Sequence, residues 1–325
     1  METDAWVSRI RFEGRRAVGV DYLQGGQPRT AGAGCGIILS AGAVNSPQLL
    51  QLSGVGPGAT LARFGIGVVL DNPAVGGHLQ DHLAITYSYR ATHRTLNDEL
   101  HSNWGKFRAG LKYLLTRRGP LALSVNHCGG FVRGAAGAAR PEFQLYYNPI
   151  TYAAGDAKRA SINPDGFSGF MLSHQPSRPT SRGRIDIAAA DFRTPPAIAP
   201  NYLDTDKDRR DVIIGGRLLQ AMERTAAMRE FIAAPLTPAL QPMNEEQMLA
   251  DFRARAATVY HPVGTCRMGR DPAGSVVDPQ LRVHGIANLR VVDASVFPSV
   301  TSGNTNAPTL MVASKAADCI LAARN

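Results

Sequence analysis

Apolar and polar positions alternate over residues 5–23, AWVSRIRFEGRRAVGVDYL, and a Glu-Gly pair interrupts the alternation midway. A period of two on either side of a turn dipeptide predicts a hairpin. The apolar run CGIILSAG at 35–42 predicts a third strand, and SPQLLQLSG after it a helix, with Ser46 as N-cap and Pro47 at the first helical position. A strand, a small-residue turn and a helix in that order bring a helix N-terminus close to a bound group, often a phosphate. The glycine-rich stretch 55–82 predicts an ordered surface loop around one short helix. Residues 99–116 carry Trp104, Phe107, Leu111, Tyr113 and Leu114 at helical spacing. Between 119 and 200 the segments CGGFVRG, EFQLYYNPI, GFMLSHQ and GRIDIAAA alternate with Pro- and Gly-rich turns, which predicts a mainly antiparallel sheet. Helical period returns at 206–233 and 244–254. Short strands, RVHG and NLRVVDAS, precede a last helix over 308–324 with Pro308 at its N-terminus and a strong apolar face.

Composition narrows the class. A chain of 325 residues, 44% hydrophobic and 19% charged, is long enough for two domains or one large α/β unit. No apolar run approaches the roughly 20 residues that span a bilayer. The opening METDAWVSRIRFEG lacks the apolar segment of a signal peptide. Cys35, Cys128, Cys266 and Cys319 are widely separated, so neither a zinc site nor a disulfide framework is indicated. The net charge of +9 comes mostly from scattered arginines, without interleaved aromatics or a nucleic-acid motif. A solvated basic surface is the simpler reading; anionic ligands, a phosphate-bearing cofactor among them, would be attracted to it.

Three segments near the C-terminal end concentrate the chemistry: HPVGTCRMG at 261–269, LRVVDAS at 289–295 and SGNTNAPTLM at 302–311. The last is a polar turn feeding a long helix. Its first amides and the positive end of the helix dipole would stabilise an anionic or electron-rich ring edge. These segments, with AGAVNSPQLLQLSGVG (41–56), NPAVGGHLQDH (72–82), SRPTSRGRIDI (177–187), YHPVGTCRMG (260–269) and VVDASVFPSVTSGNTNAPTLM (291–311), resemble in content and order the glucose–methanol–choline family of flavin-dependent oxidoreductases, in its choline- and alcohol-dehydrogenase-like branch. The likeness spans essentially the whole chain.

The resemblance implies FAD as cofactor and hydride transfer from an alcohol to flavin N5. It places the general base at His261 and a second active-site side chain, the amide that holds the developing alkoxide, at Asn306. Asp293 and Ala294 would meet the pyrophosphate side of the cofactor. Ala307, Pro308 and Thr309 would offer backbone to the pyrimidine edge of the flavin, and Val7 backbone to the adenine. The residue types suit the chemistry: a neutral imidazole accepts a proton near working pH, and an amide hydrogen-bonds without titrating. The implied fold is α/β, α+β overall: a partial Rossmann-like FAD-binding domain over 1–85 and 270–325, and a substrate domain over 86–269 with a mainly antiparallel sheet flanked by helices and His261 at the junction. A strand–G-x-G-x-x-G–helix unit, with which the family opens, is not found in these residues. The expectation is a C-terminal portion that alone binds FAD weakly or not at all, has little activity, and exposes apolar surface where other strands belong.

His82 and His284 have the simpler reading of structural histidines, Cys266 that of a small buried hydrophobe. Ser46 lacks the G-x-S-x-G context of a hydrolase nucleophile. No carboxylate lies in SVNHCGGFVRG, 124–134, the block nearest to the one that meets a quaternary ammonium in choline-oxidising members. A neutral alcohol, polyol or sugar-like substrate is therefore expected, lined by Asn126, His127 and Tyr147. The expected electron acceptor is a quinone or carrier rather than oxygen. No nucleic-acid partner and no metal are expected. The expected location is the cytoplasm, with the periphery of the inner membrane as the alternative. A non-redox relative such as a hydroxynitrile lyase, in which His261 is still the acid/base, and an inactive remnant are the competing readings.

Overall fold

The computed structural model describes all residues except Val125, Ala136, 153–162, Thr237 and 324–325. The mixed helix-and-sheet chain divides into two compact units. The first comprises 1–81, 178–205 and 260–325; the second comprises 82–177 and 206–259.

In the first unit the predicted hairpin is present as strands Ala5–Glu13 and Arg16–Gln24, turning at Gly14, which sits in the left-handed region. It extends into a three-stranded meander through Gln27–Gly32. QPRTAG gave no strand signal because every position of it faces water. The run CGIILSAG contributes only Ile37–Leu39, paired in parallel with Leu289–Val291. The helix that follows begins at Gly42, not Ser46, and runs to Leu52. Pro47 therefore lies inside it. The carbonyl four residues earlier, on Ala43, has no proline N–H to accept from and instead accepts the Thr265 hydroxyl at 2.6 Å. The core of this unit joins Ile10, Leu50 and Val55 to Val263, Cys266, Val277, Val291, Val296 and Phe297.

Residues 178–205 pack with the first unit rather than with the substrate domain expected from sequence. Gln51, buried in the helix Gly42–Leu52, accepts from the Ile187 amide and donates to the Ile185 carbonyl. Gly76 has φ of +80°, and a Cβ on it would lie 2.0 Å from the Ile185 carbonyl oxygen, so only glycine lets these backbones meet. The last helix spans Asn306–Ala322 with Pro308 third. It buries Ala316, while Leu310, Met311 and Leu321 are exposed.

The second unit is built on a six-stranded antiparallel sheet with spatial order Ile232–Pro235, Leu83–Ala91, Gly169–Pro176, Phe143–Asn148 and Cys128–Val132; Ala257–Thr258 pairs with the start of the second of these. Strand period two divides it into two faces. One carries Ile85, Tyr87, Tyr89, Phe143, Phe170, Leu172 and His174 and packs on the helices Asp206–Glu223 and Glu245–Arg255. Polar ends there are paired: Tyr87 donates to Asp251 at 2.9 Å, and Tyr89 donates to Glu223. The other face carries Thr86, Ser88, Ser173, Gln175, Gln144, Tyr146 and Asn148. The segment 99–116 forms two helices, Leu96–Leu100 and Asn103–Thr116.

Candidate functional site

His261 stands on a strip of chain laced into the first unit. Val263 exchanges both backbone bonds with Gln80, and Cys266 and Met268 donate to the carbonyls of Ser295 and Val296. Gln80 completes the lacing: its side chain accepts from the Val300 amide at 3.0 Å and donates to the Pro179 carbonyl at 2.8 Å. The site thus assembles 78–81, 261–269 and 293–300, whose backbones fix one another before any side chain is considered. Gly264 permits the close approach, since a Cβ there would lie 2.6 Å from the His78 carbonyl oxygen.

Asp81 anchors the histidine. It is buried, accepts from the His261 amide at 2.9 Å, and accepts from the Tyr202 hydroxyl at 2.6 Å. Burial holds the His261 imidazole below its ordinary value; the negative charge of Asp81 opposes that shift without cancelling it. Burial thus favours the neutral ring over the charged one. Its Nε2 lies 3.3 Å from Asn304 Nδ2. An amide nitrogen only donates, so Nε2 presents its lone pair there, the form a general base requires.

The amide that meets His261 is that of Asn304, where the sequence pointed to Asn306. Asn306 is exposed and forms the first residue of the last helix. SGNTNAP offers two asparagines of the same chemistry two residues apart, and only the path of the turn distinguishes them.

Asp293, at the end of Leu289–Val291, is buried, and its carboxylate is engaged by the chain itself. One oxygen accepts from Ser46 Oγ at 2.5 Å and the Gly42 amide at 3.0 Å; the other accepts from the Ser295 amide at 2.8 Å. It ties the ends of the two parallel strands to the start of the helix Gly42–Leu52. This also gives Ser46 a role in place of the N-cap assigned from sequence.

Two features fit a dinucleotide. A cleft of about 670 Å³ opens at the end of Ile37–Leu39, lined by Trp6, Val7, Ser40, Ala41, Asn45 and Phe192. Trp6 and Phe192 meet edge-to-face with centroids 5.1 Å apart, and Asn45 supplies a polar edge. The last helix opens at Asn306, Ala307, Pro308 and Thr309 without a side-chain cap, so its positive end is available to an electron-rich group. Among the described residues no group of three or more His, Cys, Asp or Glu side chains is arranged to hold a metal. Cys266 is buried, and burial raises its thiol far above the ordinary range.

Two relatives at about 40% identity cover nearly the whole chain. It is 42% identical over 323 residues to an alcohol dehydrogenase [acceptor] of Pseudomonas putida, covering 98% of this chain and 57% of the relative. It is 41% identical to the mitochondrial choline dehydrogenase of Homo sapiens, covering 98% and 53%. GMC oxidoreductase family models match residues 1–84 and 179–313, together about two thirds of the chain. The chain belongs to the GMC oxidoreductase family. Pyridoxine 4-oxidase from Mesorbium loti superposes with a TM-score of 0.81 at 27% identity, over 97% of this chain and 56% of that one. A formate oxidase shares the fold at a TM-score of 0.89 and 24% identity, over 98% and 60%. The chain spans about half the length of the curated relatives it matches.

In the second unit Asn126 is exposed and His127 half-buried, just before the strand Cys128–Val132. Tyr147 lies on the helix-covered face, its ring 5.4 Å from that of Phe170, which sets it apart from the polar face. Its neighbour Tyr146 is on the polar face and donates to Gln175 Oε1 at 2.9 Å. Gln175 is 0% exposed, yet its Nε2 has no partner, and Gln144 Oε1 is likewise unsatisfied. A buried amide left half-bonded on a polar sheet face costs free energy unless a ligand or water meets it. Period-two alternation from buried Phe143 would have put Tyr146, not Tyr147, on that face.

His82 and His284 bond to chain atoms. His82 Nε2 lies 3.0 Å from the Ser177 carbonyl oxygen, and His284 Nε2 lies 3.1 Å from both Ser275 Oγ and the Gly269 carbonyl oxygen.

Proposed function

We propose that this chain is the base-bearing part of an FAD-dependent oxidoreductase acting on a neutral alcohol. The observation that carries the reading is the pairing of a neutral His261 Nε2 lone pair with the Asn304 amide at 3.3 Å, fixed from behind by Asp81. Two such atoms can share one hydroxyl oxygen. The hydroxyl donates its proton to Nε2 and accepts from the amide, which then holds the alkoxide as its charge grows. Asp81 holds the backbone that carries the ring, and burial keeps the ring unprotonated and ready.

FAD, when bound, supplies the acceptor for the hydride. The cleft beside Trp6, Val7 and Phe192 would hold its adenosine end. The uncapped helix start at Ala307, Pro308 and Thr309 would meet the electron-rich edge of its ring. Ala294 would face its diphosphate side through backbone. The absence of a carboxylate anywhere in 100–141 argues against a cationic substrate there. A quinone or protein carrier is the expected electron acceptor.

The test is turnover of primary alcohols and polyols with a dye acceptor by the FAD-loaded protein. His261→Ala should lower kcat by about 10²–10⁴, and Asn304→Ala by about 10², while Asn306→Ala has a small effect. Cyanohydrin cleavage without dye reduction, or a turnover that survives His261→Ala, would reject the reading.

A further inference from the structure

The helix Asn103–Thr116 is turned inside out. It packs against its neighbours with small residues, burying Ala109 and half-burying Gly105 and Gly110 beside Tyr113. Its large apolar side chains, Trp104, Phe107, Leu111, Leu114 and Leu115, form a stripe at helical spacing and are 45 to 76% exposed. Trp104 and Phe107 stack on each other with centroids 5.5 Å apart, out in solvent. The 3₁₀ turn Pro120–Ala122 packs on this helix and adds Leu121, with Leu123 after it, both more than half exposed. An apolar stripe of this extent on a soluble surface marks a docking site.

Charge selects the partner. From residue 100 to residue 141 the chain has no aspartate or glutamate, and it carries Lys106, Arg108, Lys112, Arg117, Arg118, Arg133 and Arg140. Lys106, Arg108, Lys112, Arg117 and Arg118 are all exposed. Arg108 and Lys112 flank one edge of the stripe, and Arg117 stacks over the Tyr113 ring at 5.3 Å. Aromatic and leucine side chains on one face with exposed cations along it, the nearest carboxylates in sequence being Asp98 and Glu99 on the preceding helix, are what an interfacial helix needs: the apolar stripe enters the boundary between headgroups and acyl chains, and the cations meet anionic headgroups. A second copy of the same surface would bring cation against cation. Among the described residues no helix is long and apolar enough to cross a membrane, so such an attachment is peripheral.

We propose that the helix Asn103–Thr116, with Leu121 and Leu123, docks this protein on an anionic lipid surface. The inference is independent of the redox reading.

The full chain is sedimented with vesicles of phosphatidylglycerol and phosphatidylethanolamine, and separately with vesicles of phosphatidylcholine. Binding should be tenfold or more tighter to the anionic vesicles and weaken with salt, since each cation near such a surface contributes roughly fivefold. Lys106→Glu with Lys112→Glu should remove that preference. Leu114→Ser with Leu115→Ser, at positions too exposed to support the fold, should abolish binding to both. In a Trp6→Phe background Trp104 is the sole tryptophan, and its emission should shift to the blue and be quenched by brominated acyl chains. Equal binding to both vesicle types, or binding unaffected by the leucine variants, overturns the proposal. So does a lipid-free protein in which Trp104 is already shielded from iodide, because a second copy or another part of the protein then covers the stripe.

Discussion

Gly215 sits in the middle of the eighteen-residue helix Asp206–Glu223, where helix propensity alone says alanine should be better by about 1 kcal/mol. The structure says the opposite. A Cβ at 215 would lie 2.2 Å from His174 Nδ1 and 2.5 Å from Cε1, well inside van der Waals contact. His174 is 1% exposed on the helix-covered face of the sheet, and Phe252 lies across it with ring centroids 5.7 Å apart. Either the helix lifts from the sheet or the ring leaves its rotamer, and overpacking of this kind costs about 1–3 kcal/mol. Gly215→Ala should therefore destabilise the second unit by up to about 2 kcal/mol net of the propensity gain. No hydrogen bond complicates the estimate at the clashing atom, because Nδ1 has no partner.

The double-mutant cycle isolates the cause. His174→Ala alone should cost about 2 kcal/mol for the void it leaves. In that background Gly215→Ala meets no ring and should become stabilising by about 1 kcal/mol. The interaction energy, from urea midpoints followed by circular dichroism with hydrogen exchange of the Asp206–Glu223 amides as local reporter, should be about 1–3 kcal/mol, the overpacking cost itself. If Gly215→Ala stabilises the native protein, or the coupling falls below about 0.5 kcal/mol, close packing of His174 on this helix is not what keeps the position glycine.

Three further outcomes are expected. Burial pushes the His174 imidazole down to about 3 from 6.5, so the unfolded chain binds the proton that the folded one refuses. Its share of stability is complete above about pH 6.5 and declines towards pH 3, by up to about 1.4 kcal/mol per unit; His174→Leu should flatten the acid side of the stability curve, and an unchanged slope would refute the assignment. Because burial lowers the His261 imidazole and Asp81 only partly opposes it, the acid limb of kcat/KM should fall below the ordinary histidine range, and an Asp81→Asn variant should move it lower still; a limb at or above pH 7 would show a charged imidazole in the free enzyme. Gln175→Leu removes an amide with an unpartnered nitrogen but also the acceptor of the Tyr146 hydroxyl, so the second unit should lose about 1–2 kcal/mol in urea; a loss above about 3 kcal/mol would show the amide holding more than Tyr146.

The parts of this molecule legible in its residues are those in which one local pattern decides the outcome. The alternation in 5–23 forces the hairpin, and the antiparallel segments of the second unit follow from short β-rich runs between turns. HPVGTCRMG stood out because a histidine among glycines and prolines has little other use. The misreadings share a cause: two equivalent residues lay close together and only the path of the chain chose between them. Asn304 and Asn306 differ by one turn residue, and Tyr146 and Tyr147 by one step of a strand, yet of the first pair it is Asn304 that reaches His261, and of the second it is Tyr146 that lies on the polar face of its sheet. Ser46 was assigned as a cap because serine before proline usually is one; the helix starts four residues earlier because Asp293, 247 residues downstream, holds the Gly42 amide and the Ser46 hydroxyl together. No local rule contains that carboxylate. The helix Asn103–Thr116 shows the same limit from another side. Its period predicts a helix with an apolar stripe, and the stripe is there, but periodicity cannot say which stripe faces the protein. Gly105, Ala109 and Tyr113 repeat at the same spacing as the larger residues, and close packing favours the small ones. The apolar residues left outside are then surface chemistry, and the run of cations over 100–141, a stretch that holds no aspartate or glutamate, gives that surface its sign.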